Sequence, residues 1–318
     1  MASNFSLSRR ELFAASAAAL AAGPLGAFRG ITKANISAIT DEIGRTQADA
    51  IAFAHEYGLQ WVELRNVPET KKEIAFLPEA EIKVIAAELA SNKLKVSFLN
   101  TSLLKFTWPG TIPAKPRPAA AKETPEQAAT RAAAEKKRWD NRKADVETAV
   151  RAANILGTNK IRVFTGERVA QPETTYKLIQ QTMEELIPIA EKGKVHLLIE
   201  NEYSQNIGTS TETRAIMDLI PSKTVGFNWD PGNAKYLNEV SWPDGYKVLP
   251  KNRLLNAQFK AKNLMEGEEH IDWLSILKAM QKDGYSGQIG LETHTGGPNL
   301  IENAHTAMKT IMHLVGQL

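Results

Sequence analysis

The sequence predicts an α/β chain folded as a single (β/α)8 barrel with a Pro-rich insertion after the third strand, and three observations carry that reading. From Ile36 onward, short β-rich apolar runs alternate with longer helical patterns, as in successive βαβ units. Eight such runs can be counted, which favours a closed barrel over an open doubly wound sheet. Within the later runs polar and apolar residues alternate, so each strand would carry one face toward surrounding helices and a polar face into a common interior.

Taken in order, the strands fall at 36–40, 61–64, 95–99, 160–164, 195–199, 225–229, 255–259 and 288–291. Helical patterns occupy 46–57, 78–92, 126–156, 173–192, 271–283 and 299–315. Gly58, Gly157, Gly193 and Gly284 each follow a helical run just before a strand, where a C-terminal helix cap is expected. The units use up residues 31–318, so no second domain is required.

Composition narrows the class. With 318 residues, 43% hydrophobic and 24% charged, the chain can bury a core and is neither wholly disordered nor a polytopic membrane protein. The absence of Cys removes disulfides, thiolate metal sites and cysteine nucleophiles, so any metal must use oxygen or imidazole ligands. The formal charge is +3, and Arg9, Arg10 and Arg29 against Glu11 supply +2 of it from the first thirty residues. No concentrated basic face remains, so nucleic acid is not an expected partner.

Residues 1–30 read as a twin-arginine-type signal peptide. Arg9-Arg10 precedes an alanine-rich run from Ala14 to Ala22, then Gly23-Pro24. The run is too short to span a bilayer, so no membrane span would remain after cleavage. A periplasmic or otherwise exported protein is expected.

Residues 107–124 break the βα rhythm with Pro109, Pro113, Pro116 and Pro118. The stretch is too long for an ordinary βα loop and reads either as a disordered linker or as a lid, with Trp108 at its root placed to cover a sugar ring.

The chemistry-bearing residues gather at strand ends. Glu200, Asp230 and Glu292 end three interior faces, and Gln258 stands at matching depth on a fourth. Three converging carboxylates repel unless something neutralises them: a divalent cation, or a salt-bridged network with Lys260 and Lys262. All-oxygen ligands favour Mn²⁺, Mg²⁺ or Ca²⁺. Glu63 and Arg65 end the second interior face, as sugar-binding groups or as a buried ion pair.

Leu198-Ile199-Glu200-Asn201, Asn228-Trp229-Asp230-Pro231-Gly232-Asn233, Gln258-Phe259-Lys260 and Gly290-Leu291-Glu292-Thr293-His294 resemble the ligand-bearing strand ends of the xylose-isomerase-like TIM-barrel superfamily. This is the sugar phosphate isomerase/epimerase group, which includes D-tagatose 3-epimerase-like enzymes. The resemblance runs from Ile36 to about Val315. It implies one divalent metal ion, Mn²⁺ foremost with Mg²⁺, Co²⁺ or Zn²⁺ as alternatives, on Glu200, Asp230, Gln258 and Glu292. It also implies that Glu200 and Glu292 move a proton between neighbouring sugar carbons.

Two positions depart from the family pattern. Gln258 stands where imidazole is usual, which leaves His294, on the same face as Glu292, as a substitute ligand, a proton carrier or a structural residue. Asn233 replaces a histidine of the epimerases.

The expected activity is metal-dependent sugar isomerisation or epimerisation, by proton abstraction next to a carbonyl through an enediolate. Glu202, Asn233, Lys260, Lys262, Glu63, Arg65 and Trp108 are the candidate substrate-binding residues. The same glutamates would serve an exported 3-keto-glycoside lyase by β-elimination. A non-catalytic sugar-binding barrel is the alternative of a different class, and the presence of both glutamates argues against it. A nuclease on the same barrel would need several histidines near the strand ends, where at most two of the six fall. The expected partner is a small sugar or keto-sugar, and a homo-oligomer is compatible with the sequence.

Overall fold

The computed structural model describes residues 30–318 apart from 116–122, 266 and 296; the signal segment, bar Gly30, lies outside the described residues. Eight parallel strands form one sheet: β1 (Ile36–Ala38), β2 (Trp61–Leu64), β3 (Lys95–Leu99), β4 (Lys160–Val163), β5 (His196–Glu200), β6 (Val225–Trp229), β7 (Leu254–Lys260) and β8 (Gln288–Glu292). They pair in the order β1-β8-β7-β6-β5-β4-β3-β2, and a parallel bridge between Ile39 and Glu63 joins the two ends into a barrel. The seam between β1 and β2 rests on this one bridge, so the barrel is nearly closed.

Seven long helices pack outside this barrel among the described residues: α1 (Gln47–Glu56), α2 (Glu79–Ser91), α3 (Pro125–Leu156), α4 (Tyr176–Gly193), α5 (Ser210–Leu219), α6 (Trp273–Lys282) and α7 (Leu300–Val315). Their starts are written locally. Thr46, Thr124 and Thr209 each form a capping box with the residue three places on, satisfying backbone N–H groups that a helix start leaves open. Their inner stripes follow helical spacing, as Ala304, Ala307, Met308, Ile311 and Val315 do on α7. These stripes meet the outward strand residues, among them Val195, Leu197, Ile199, Phe227, Trp229, Phe259 and Leu291, in one continuous core. The connection from β6 to β7 has only short helical turns, and there Tyr246 packs on Trp229 with ring centroids 5.5 Å apart.

Three of the four expected glycine caps take positive φ: Gly58, Gly157 and Gly284. At the end of α4 the left-handed residue is instead Lys194, with φ 57°. Gly193 is needed for space, since a Cβ there would stand 2.1 Å from Val150 Cγ1.

The barrel interior is polar and layered. At its lower end Lys160 donates to Leu255 O at 3.1 Å and Gln288 Oε1 at 2.8 Å. Burial pulls this amine down to about 8. Above it the carboxylate of Glu63, fully buried, accepts from Ser37 (3.0 Å), Asn100 (2.8 Å), Asn256 (3.2 Å) and Gln258 (2.7 Å). Burial raises the Glu63 carboxyl despite those four bonds. Gly290 makes room for it, because a Cβ there would lie 2.1 Å from Glu63 Oε1.

The described part of the insertion, residues 107–115, is docked. Pro113 bridges Val169, and Ala114 N donates to Arg168 O at 2.8 Å. Trp108 is buried, with its indole N–H on Leu104 O (3.0 Å) and its ring 5.1 Å from that of Trp139. It belongs to the core and does not line the pocket described below, so it offers no platform to a sugar there.

Two outcomes follow. Gly290→Ala should cost roughly 1–3 kcal/mol in denaturant unfolding, and combining it with Glu63→Ala should give less than the sum of the two single losses, because one clash is shared. The Lys160 amine is held below its unfolded value of 10.5, so its protonation is costlier in the folded state. Wild-type stability relative to Lys160→Met should therefore rise between pH 8 and 10.5, by up to about 3 kcal/mol; a pH-independent difference in chemical denaturation would contradict the reading.

Candidate active site

Register sets the upper layer. Lys260 pairs with Glu292 across β7 and β8, and Gln258 pairs with Gly290 one layer lower. The side chain beside Glu292 is therefore Lys260. Gln258 lies below, donating to Glu63, and its Oε1 is buried without a partner. Thus Glu63 and Gln258, expected at the mouth, form the layer that supports it.

Lys260 Nζ donates to Asp230 Oδ2 and, at 2.7 Å, to Glu292 Oε2. Glu200 Oε2 accepts from Arg162 at 3.1 Å and from Asn228 Nδ2 at 2.6 Å, which leaves Oε1 available to the pocket. Arg65 binds Asp41 (3.0 Å), Glu42 (2.8 Å) and Glu292 (3.4 Å). Asn233, at the start of the short helix Pro231–Lys235, donates its backbone N–H to Asp230 Oδ1 at 2.9 Å and its amide to Oδ2 at 3.1 Å. Asp230 is thereby both the cap of that helix and the buried partner of Lys260. Its strand end is tied to that of β5, where Asn201 accepts from Asp230 N at 2.7 Å.

Electrostatics divide the acids. Burial opposes ionisation of Glu292, but Lys260, the contact with His294, Arg65 and Arg162 hold its carboxyl well below the usual range. Burial lifts Asp230 to about 6; Lys260 pulls the other way, and Glu292 and Glu200 add to the rise. Burial likewise opposes ionisation of Glu202, and the nearby Lys105 charge prevails and lowers it. The contact with Glu292 (3.8 Å), though opposed by partial burial, raises His294, whose ring is half-exposed at the rim.

The pocket enclosed by these groups holds about 300 Å³. Seven of the residues expected from sequence line it, Glu200, Glu292 and Lys260 with Arg65, Glu202, Asn233 and His294, while Asp230 lies fully buried behind Lys260. Lys262 is not among them; it lies over the Tyr236 ring at 4.1 Å and 3.8 Å from Glu269. Arg162, Asp41, Glu42, Lys105 and Asn228 were not foreseen. Arg162 was readable from the alternation Lys160-Ile161-Arg162-Val163, and Asp41-Glu42 directly follows the first strand.

The donor set fits a divalent cation. One oxygen each of Glu200, Asp230 and Glu292 lies within 4.8 Å of the others, the spread allowed when ligands stand 2.0–2.6 Å from a shared ion. Charge agrees with geometry: Asp41, Glu42, Glu200, Asp230 and Glu292 face three permanent cations, Arg65, Arg162 and Lys260, an excess of two negative charges. A second group of Glu42, Glu292 and His294 meets the same distance test.

A family model described as xylose isomerase-like TIM barrel matches residues 51–314. A search of curated protein sequences gave no match. Solved structures of similar fold include the 3-keto-D-glucoside 4-epimerase YcjR of E. coli (12% identity, TM-score 0.61, covering 88% of this chain and 98% of that one). D-psicose 3-epimerase from Clostridium cellulolyticum H10, solved with D-tagatose, is 13% identical at TM-score 0.62, over 89% and 97% of the two chains. A xylose isomerase-like TIM-barrel protein from Mycobacterium smegmatis, in complex with magnesium, is 16% identical at TM-score 0.59, over 88% and 97%.

If the Lys260 ammonium is the counter-charge of Asp230 and Glu292, Lys260→Met should destabilise the metal-free protein by about 3–5 kcal/mol. Added Mn²⁺ or Mg²⁺ should restore much of the loss in thermal denaturation. A variant as stable as wild type without metal would contradict this.

Proposed function

Because the chain belongs to the xylose isomerase-like TIM-barrel family and sets two cation-paired glutamates, Glu200 and Glu292, in one pocket, we propose that it is a metal-dependent isomerase or epimerase of a sugar or keto-sugar. The observation that carries the proposal is the convergence of Glu200, Asp230 and Glu292, one oxygen of each within 4.8 Å of the others, with Lys260 and Arg162 among them. Glu200, Asp230 and Glu292 would hold the ion, Mn²⁺ foremost, with the orphaned oxygen of Gln258 in the layer beneath. When bound, the ion polarises the substrate's carbonyl and so acidifies the neighbouring C–H.

The chain's own residues do the rest. Glu200 offers Oε1 as the base that takes the proton from the carbon next to the carbonyl, its other oxygen being anchored by Arg162 and Asn228. For isomerisation Glu200, protonated by that step, gives the proton back to the neighbouring carbon; for epimerisation Glu292 passes to the opposite face a proton drawn from the His294 imidazolium 3.8 Å away at the rim, and Glu200 loses its own to water. Lys260, charged and buried, steadies the oxygen on which negative charge develops, and Arg162 does so from the Glu200 side. Asn233 and Glu202 hold sugar hydroxyls at the rim. The N-terminal arginine pair supports placing this reaction outside the cytoplasm; cell fractionation with an intact N-terminus found in the cytosol would oppose that placement.

One observation favours a second reading, a 3-keto-glycoside lyase. The site pocket shares Glu73 and Ser102 with an adjoining cavity, which leaves room for a departing group.

Incubation of the metal-loaded protein with ketohexoses and 3-keto-glucosides in D₂O separates the readings. Deuterium incorporation into a recovered or epimerised sugar supports the first, and release of the aglycone supports the second. Glu200→Gln and Glu292→Gln should each lower turnover by about 10²–10⁴-fold. An active double variant would overturn the assignment of roles.

A further inference from the structure

Beside the site pocket, the loops after β2 and β3 and the middle of α3 enclose a cavity of about 320 Å³. The two spaces have common walls in Glu73 and Ser102, and Glu73 is fixed there by accepting from Ser102 N and Ser102 Oγ, both at 2.6 Å. The second cavity therefore adjoins the one that holds Glu200 and Glu292.

The lining of the second cavity is of mixed kind. Arg138 spends one donor on Ser102 O (3.1 Å) and lies 4.6 Å over the Phe106 ring, and a guanidinium has five N–H groups to give. Arg142, one helical turn further on, gives its donors to Trp139 O and Glu185 and only borders the cavity, whereas Asp145 and Glu73 supply carboxylate acceptors. Phe76, at the rim, leaves 41% of its surface exposed. A simple anion would be met by cations without acids, and an apolar group would make no use of either. Hydroxyl groups donate and accept at once, so they match guanidinium donors interleaved with carboxylates. A ring with an apolar C–H face suits the open face of Phe76.

We propose that this cavity is a subsite for a second hydroxylated ring, so that the substrate of the adjoining site is a two-ring glycoside and not a free monosaccharide. The proposal rests on the reading of that site as one acting on sugars. It assigns Phe76, Arg138 and Asp145 to substrate selection and leaves proton transfer to Glu200 and Glu292.

The test is calorimetric binding of glucose, cellobiose, maltose and trehalose to the full chain, followed by turnover of their 3-keto forms by the Mn²⁺-loaded protein. At least one disaccharide should bind tenfold or more tightly than glucose. Phe76→Ala and Asp145→Asn should each bring that ratio toward one, with monosaccharide binding and the circular dichroism spectrum unchanged. Equal binding of all four sugars, or a disaccharide preference that both variants retain, would overturn the subsite. Turnover of keto-sugars with no two-ring preference would remove the subsite and leave the proposed function standing. A disaccharide preference that depends on Phe76, with no turnover of any keto-sugar, would do the reverse.

Discussion

Confining five carboxylates at the mouth of one barrel is the constraint on which the rest of the structure turns. Asp41, Glu42, Glu200, Asp230 and Glu292 could not share that space ionised without counter-charge, since each would lose hydration and gain like-charged neighbours. Arg65, Arg162 and Lys260 answer most of this, each from a different strand or strand end, so the ion pairs also tie β1, β2, β4, β5, β6, β7 and β8 together at the upper rim. The remaining negative charge leaves the acids with different tendencies: Glu292 is held ionised, and Asp230 is lifted toward neutrality.

Below the mouth the barrel repeats the same problem with a different solution. Glu63 has four neutral hydrogen-bond donors and no ion pair, so its carboxyl rises instead of being matched by a cation. This lower layer fixes Gln258 and Asn256, and Asn256 in turn donates to Asn228, which holds Glu200. A chain of hydrogen bonds from side-chain amides thus connects the floor of the barrel to the base above it. Such a network orders the site only while every member stays in register, and register is what the nearly closed, fully parallel sheet supplies.

Much of this was legible in the chain. The eight strands and six of the seven long helices stand within a few residues of where alternation and capping residues placed them, because both signals are local; α5 was not among them. The convergence of Glu200, Asp230 and Glu292 was legible for the same reason, as strand parity fixes which face a residue takes. The depth of Gln258 was not, because two residues along a strand, about 6.6 Å, separate one layer from the next and only pairing with Gly290 reveals which layer it occupies. Trp108 and Lys262 were misplaced for a related reason: both sit beyond strand ends, where parity ceases and packing against Trp139 or Tyr236 decides direction.

By itself, then, the sequence determined the periodicities: a barrel, its polar lining and the acids at its strand ends. Only the tertiary structure decided how those acids are neutralised. Arg162 reaches Glu200 across 38 residues, Arg65 reaches Glu292 across 227, and the Lys260 ammonium lies between Asp230 and Glu292. Charge compensation acts through space at distances of about 3 Å, and no local pattern in the chain encodes which opposite charges closure of the barrel will bring that near.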